Sequence, residues 1–302
     1  MRPARDDQER YSAARLSARL QTLIGAARGV ADLDGLHREA AGVLGAGHET
    51  TLLIEHTLEL RRDAGRTVAE SLPVWAGLGE RAARALPPES AAAIAIRTRY
   101  RRRLRACGRP ADLDAVVELC RGECGAGFGD ARADLALVLR DRAWFAGERD
   151  GLAEAIAMID AEVCRRGDGT RPDQVAARLI QVEVLLAIGR ADQGAAGRAL
   201  ELAEGLVRRE EFEDDDELPR AHVLLAEALL LTGRTMEAGR VARLAYALHT
   251  GVFDPARSLL TLARAEGDAA QARAALRQRQ GAFPADSYYV TEARELVEEL
   301  SR

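Results

Sequence analysis

The chain contains no lysine and no asparagine, so all 43 of its basic residues are arginine. Both missing residues have A-rich codons, and their absence reads as the bias of a GC-rich bacterial genome, not as a functional signal. Aromatic residues make up only 4% of the 302 positions, too few to line a large cavity with rings. No apolar run approaches the roughly 18 residues of a membrane helix, and the first twenty residues are charged and polar, unlike a signal peptide. A cytoplasmic protein with no membrane contact is expected. The four cysteines are Cys107, Cys120, Cys124 and Cys164. Cys120 and Cys124 sit four apart on a helical stripe with Leu113 and Val116 or Val117; half a metal site would need His or Cys partners at tetrahedral spacing, and none is found. They read as small buried hydrophobes. The five histidines, His37, His48, His56, His222 and His249, form no HExxH pair, since Leu52 stands four residues past His48. No GxSxG is present, and the serines sit mostly at helix starts, where capping accounts for them. No catalytic residue, metal ligand or cofactor is therefore expected.

What the chain does have is a recurring turn. Hydrophobic residues are 47% of the sequence, mostly Ala, Leu and Val, and helix is expected throughout. Short glycine-centred turns recur at Gly65, Gly108, Gly147, Gly189 and Gly233, at intervals of 43, 39, 42 and 44 residues, with weaker members at Gly29 and Gly267. A period of roughly 35 to 45 residues marks a helical repeat array, in which each hairpin buries its apolar face on its neighbours. Glycine suits such turns because a helix ends readily on a left-handed residue. The expected fold is all-α: a superhelical solenoid of about seven helical hairpins with a C-terminal capping helix, forming one array over 11–302 behind a frayed segment 1–10.

In chain order the hairpins fall at 11–43, from 50 or 51 to the Pro87-Pro88 stop, 89–129, 130–166, 172–209, 218–250 and 254–279. Asp32 is a candidate N-cap. The stretch 175–188 is nearly all aliphatic and should be the best buried. A last helix, capped at Asp286 or Ser287, would carry Glu292, Glu295, Glu298 and Glu299 on a wet outer face. The loop with Gly125, Gly127 and Gly129 reads as a flexible connector, because a nucleotide fingerprint needs a preceding strand and GxGxxG spacing. Seven acids in eight residues fill 210–217. The aspartate-rich metal motif of a terpene cyclase would need aromatic faces that two Trp and five Phe do not supply, so a solvated acidic loop is preferred, with a cation or a basic partner as the alternative.

Net charge is -5, but residues 1–110 carry +6 and the remainder -11. Arg97, Arg99, Arg101, Arg102, Arg103 and Arg105 lie on one basic stretch with Tyr100. Such a stretch can grip phosphates, yet the pI is about 5.7 and no second basic patch faces it. A contact with an acidic protein segment, such as 210–217 of another copy, is preferred to nucleic acid.

The run Val43-Leu44-Gly45-Ala46-Gly47-His48-Glu49-Thr50-Thr51-Leu52, followed by a helix and Ala64-Gly65-Arg66, resembles the tetratricopeptide repeats of the kinesin-light-chain type found in bacterial regulators. The hairpin at 218–250, with Ala226, Ala238 and Ala245 around Gly233, is similar to the general tetratricopeptide pattern. The resemblance, by period, covers 40–280. It implies a right-handed superhelix whose first helices line a concave groove for an extended peptide or a partner helix. In that type groove asparagines bind the ligand backbone, and this chain has none. Six residues before each turn glycine stand Glu59, Arg102, Asp141, Glu183 and Glu227, and then Thr261. Arg62, Arg105 and Trp144 stand three residues further on, on the same face. The candidate partner-binding residues are thus Glu59, Arg62, Arg99, Arg102, Arg105, Asp141, Trp144, Glu183 and Glu227; the plainer reading is an ordinary solvated face. The expected function is a non-enzymatic scaffold or sensor holding a partner protein or peptide with a basic segment. A receptor for a short signalling peptide and a nucleic-acid binder acting through 97–105 are the alternatives.

Overall fold

A computed structural model describes residues 3–25, 29–128, 130–167, 171–208, 217–248 and 254–302. The acidic segment 210–216, Gly129 and His249 lie outside the described residues. Among those described the structure is all α-helical, without strands. Seven hairpins follow one another: α1 (Pro3–Gly25) with α2 (Val30–Leu44), α3 (Glu49–Arg62) with α4 (Val68–Ala85), α5 (Ala91–Cys107) with α6 (Pro110–Gly125), α7 (Asp130–Asp141) with α8 (Leu152–Arg166), α9 (Pro172–Gly189) with α10 (Gln193–Val207), α11 (Glu217–Leu231) with α12 (Thr235–Ala247), and α13 (Pro255–Glu266) with α14 (Ala269–Ala282). A single helix, α15 (Tyr288–Leu300), completes the array. Helix begins at Pro3, inside the segment expected to fray. The chain, expected as one array, divides into two compact units, 1–103 and 104–302, and α5 begins in the first and ends in the second.

In the first unit, apolar residues at helical spacing make two cores. Leu16 and Leu20 pack with Leu33, Leu36, Ile54 and Leu58, and Leu52 packs with Trp75, Leu78, Ala82 and Ile96. Burying each leucine contributes roughly 1.5 to 3 kcal/mol before entropy is counted. His48 caps α3 by accepting from the Thr50 amide at 3.1 Å, and Thr67 with Glu70 forms a capping box on α4. Asp32 is not a cap: Gly29 holds that position, and Asp32 sits in the first turn of α2, where its charge faces the positive end of the helix.

In the second unit the odd helices α7, α9, α11, α13 and α15 pack on one another in sequence as well as on their even neighbours. They are the inner layer: α9 and α11 bury eleven residues each, against five in α10 and four in α12. The aliphatic run of α9 is buried as expected. The outer helices approach through alanines, and Gly189 serves that approach, since a Cβ there would lie 3.0 Å from the Ala196 backbone. This corrects the expected reason for its glycine, as its φ is not positive. Gly108 is the other case: its φ is +65°, and a Cβ would meet the Tyr289 ring at 2.8 Å. That contact exists because α15, capped by Ser287, returns to the α5–α6 turn. The Phe145 ring stacks on Tyr288 at 5.8 Å and meets Tyr289 edge-on at 5.1 Å. The second unit therefore closes on itself.

Candidate functional site

The inner face of the second unit carries a buried chain of alternating charge. Arg105 donates to Asp141 at 2.5 Å. Arg140 pairs with Asp141 at 2.9 Å and with Glu183. Glu183 also accepts from Arg220 at 2.7 Å and lies 3.6 Å from Arg257, which forks onto both oxygens of Glu227 at 2.7 Å. Thr261, next in the column, is buried and donates to the Arg257 carbonyl at 2.9 Å. Within the second unit, Asp141, Glu183 and Glu227 of the column read from the sequence stand on the inner helices α7, α9 and α11 and are linked through shared arginines. Its exposure is corrected: Asp141, Glu183 and Glu227 are 1%, 2% and 5% exposed and held by the chain's own arginines. A lone buried carboxylate would cost several kcal/mol, so these acids depend on the guanidiniums around them, whose planar forks can satisfy two oxygens at once. Burial brings Arg140 down to about 10 against the pull of Asp141, with Arg257 and Arg105 adding to the fall. Burial also works against Arg105 and Arg257, but Asp141 and Glu227 outweigh it and hold both above the usual range.

Glu292 of α15 takes part in the same pattern. It accepts from Arg264 at 2.8 Å, Arg279 at 2.7 Å and the Trp144 indole at 3.3 Å. Burial disfavours its charge, yet Arg264 and Arg279 hold its pKa below the usual carboxylate range. The wet outer face expected for this acid is thus corrected. Arg279, 2% exposed, also pairs with Asp254 at 3.0 Å and donates to the Tyr289 carbonyl at 2.8 Å. Burial and the charge of Asp141 push the Tyr289 hydroxyl up to about 12.

The remaining candidates lie in the first unit. Glu59 is 6% exposed and accepts from Arg62 at 2.7 Å and Arg66 at 2.6 Å. One oxygen of buried Asp63 accepts from the Trp75 indole at 2.8 Å, Arg99 at 2.9 Å and Arg103 at 2.8 Å. Burial opposes that charge, while Arg99, Trp75 and Arg103 hold its pKa below the usual value. His56 meets Trp75 edge-on at 5.4 Å; burial, then the charge of Arg99, lowers its pKa to about 4. Arg102 is exposed.

A recess of about 310 Å³ opens where the turn that follows α7 meets α15. α7 ends in a π-helical turn, Arg142–Ala146, and such turns break the normal side-chain register; here it brings both Trp144 and Phe145 to the recess wall. Arg190 lies 3.4 Å over the Trp144 ring and donates to the Trp144 carbonyl at 3.0 Å. From α15, Tyr288, Thr291, Glu292, Glu295 and Glu299 form one stripe at helical spacing along the opposite side. Glu295 and Glu299 are exposed. Of the sequence candidates only Trp144 belongs to this recess. Phe145, Arg190, Arg264 and the α15 stripe were missed; the i, i+3, i+4 pattern of Tyr288, Glu292, Glu295 and Glu299 was the available signal.

Among the described residues no three His, Cys, Asp or Glu side chains are placed to hold a metal ion, and no helix is long and apolar enough to cross a membrane. The chain matches no family model, and no curated protein or solved structure matches it significantly.

Proposed function

We propose that the chain is a non-enzymatic interaction module of the tetratricopeptide type, a scaffold or sensor in a bacterial cytoplasm, and that residues 104–302 hold a partner protein segment at the recess between α7 and α15. The observation that carries this reading is the recess itself: aromatic rings, a stacked guanidinium and exposed carboxylates converge there, whereas the charged column is already paired within the chain. Such a mixture of rigid rings and polar groups suits a protein contact. The nucleic-acid reading has less support, because Arg99, Arg103 and Arg105 of the basic stretch sit on Asp63 and Asp141. The peptide-receptor reading is favoured by one feature: a ligand in the recess would touch α15 and the turn that follows α7 together, the two elements whose meeting closes the unit. That reading expects a changed small-angle scattering profile on ligand addition.

The test is a tagged pull-down from nuclease-treated native lysate, with hydrogen exchange of the captured complex. Protection over 142–146 and 288–299, lost with the Phe145→Ala/Arg190→Ala variant, is the expected result. Capture undiminished in the variant, or protection elsewhere, would sink the assignment.

A further inference from the structure

We infer that the recess receives one basic side chain, an arginine or lysine, of the partner segment, with Glu295 and Glu299 as its carboxylate partners. This rests on the reading of the recess as the partner site and names the chemistry that fills it. The inner end of the stripe shows how α15 takes guanidiniums: Glu292 already holds Arg264 and Arg279. Glu295 and Glu299 continue the same stripe outward. Neither has a hydrogen-bond or ion-pair partner for its carboxylate among the described residues, and the two lie about 6 Å apart along the helix, within reach of a single guanidinium or ammonium.

Charge and ring geometry point the same way. Three carboxylates, Glu292, Glu295 and Glu299, line the recess against two guanidiniums, Arg190 and Arg264. Arg264 is neutralised by Glu292. Arg190 is seated on Trp144 and shows that this wall accepts a cation over a ring. The entering group therefore meets two unpaired acids beside Phe145 and Tyr288, and these outnumber Arg190, the one lining guanidinium whose contacts are a ring and a carbonyl. A volume of about 310 Å³ admits a side chain and excludes a folded element, so the partner enters the recess with a side chain alone.

The test uses the full chain and the blocked tripeptide acetyl-Gly-Arg-Gly-amide, with its citrulline counterpart as the neutral isostere. Trp144 emission is the readout. The other tryptophan, Trp75, is fully buried in the first unit, and Trp144→Phe removes the signal. The arginine peptide is expected to saturate with a dissociation constant of about 1 mM or tighter, and the citrulline peptide to bind about tenfold more weakly or worse. Glu295→Gln/Glu299→Gln, at exposed positions and with an unchanged melting curve, should show the same tenfold loss for the arginine peptide. Equal binding of the two peptides, undiminished binding by the double variant, or no saturable response by emission or NMR shifts overturns the inference. A partner still protected at 142–146 and 288–299 after such a failure would leave the site standing and remove only the basic side chain; loss of both would remove the site.

Discussion

The backbone amide of Tyr288 donates to the carbonyl oxygen of Gly108 at 2.9 Å, joining the first residue of the last helix to the first turn of the second unit. In most helical arrays each repeat touches only its neighbours. This bond ties the end of residues 104–302 to their beginning, and Gly108 is the residue that permits it.

Gly108→Ala should therefore act at a distance. An alanine there would hold an unfavourable φ and press on Tyr289, with an expected cost of about 2 to 3 kcal/mol. Amide hydrogen exchange along α15 should speed up more than exchange along α9. Equal rates in variant and wild type would show that the closure does not depend on this turn.

Glu183 faces Arg140, Arg220 and Arg257, so its charge is needed where it stands. Glu183→Arg would place a fourth guanidinium in the cluster and should cost at least about 3 to 5 kcal/mol, while Glu183→Gln, which can still accept a hydrogen bond, should cost less. Urea unfolding of both variants checks the order, and a Glu183→Arg protein as stable as wild type would contradict the buried pairing. For the same reason, charge reversal at Glu183 or Glu227 cannot be used as a surface probe.

His56 gives a pH dependence with a defined sign. Its pKa falls from 6.5 to about 4 on folding, so between those values the unfolded chain binds the extra proton. The stabilisation is present above pH 6.5 and is lost as pH falls toward 4. After discounting for partial exposure, the loss should be about 1 to 2 kcal/mol. In urea unfolding at pH 7 and pH 4.5, His56→Phe should lose that much less stability than wild type across the interval. Parallel pH profiles would show that the ring is already solvated.

Arg190→Ala should remove the stacked cation from Trp144 at a cost of about 0.5 to 1 kcal/mol. The indole, freed on one face, should emit further to the red, with Trp75 as the constant background. An unshifted spectrum would mean that the guanidinium does not cover the ring in solution.

Much of this organisation was written in the order of residues. The seven hairpins follow from the glycine spacing, and the stretch 175–188 announces its burial by having only three polar residues, Arg178, Gln181 and Glu183, among fourteen. The charged column was also visible, since Asp141, Glu183 and Glu227 each stand six residues before a turn glycine. What the spacing did not reveal was the sign of their exposure. A charge on an inner helix and one on a wet face have the same period, and only the arrival of Arg140, Arg220 and Arg257 from neighbouring helices separates them. The recess was hidden for a related reason. It depends on α15 meeting α7 across many intervening residues, and on a π-helical turn at Trp144 and Phe145 that breaks the ordinary register.

A row of dominoes can lose its last member while the others stand; a ring of them has no last member. With Phe145 stacked on Tyr288 and Gly108 bonded to it, residues 104–302 are joined end to beginning as the ring is. The hairpins of this unit should then melt together in a single transition, and deleting α15 should loosen the α5–α6 turn as strongly as it loosens α13 and α14.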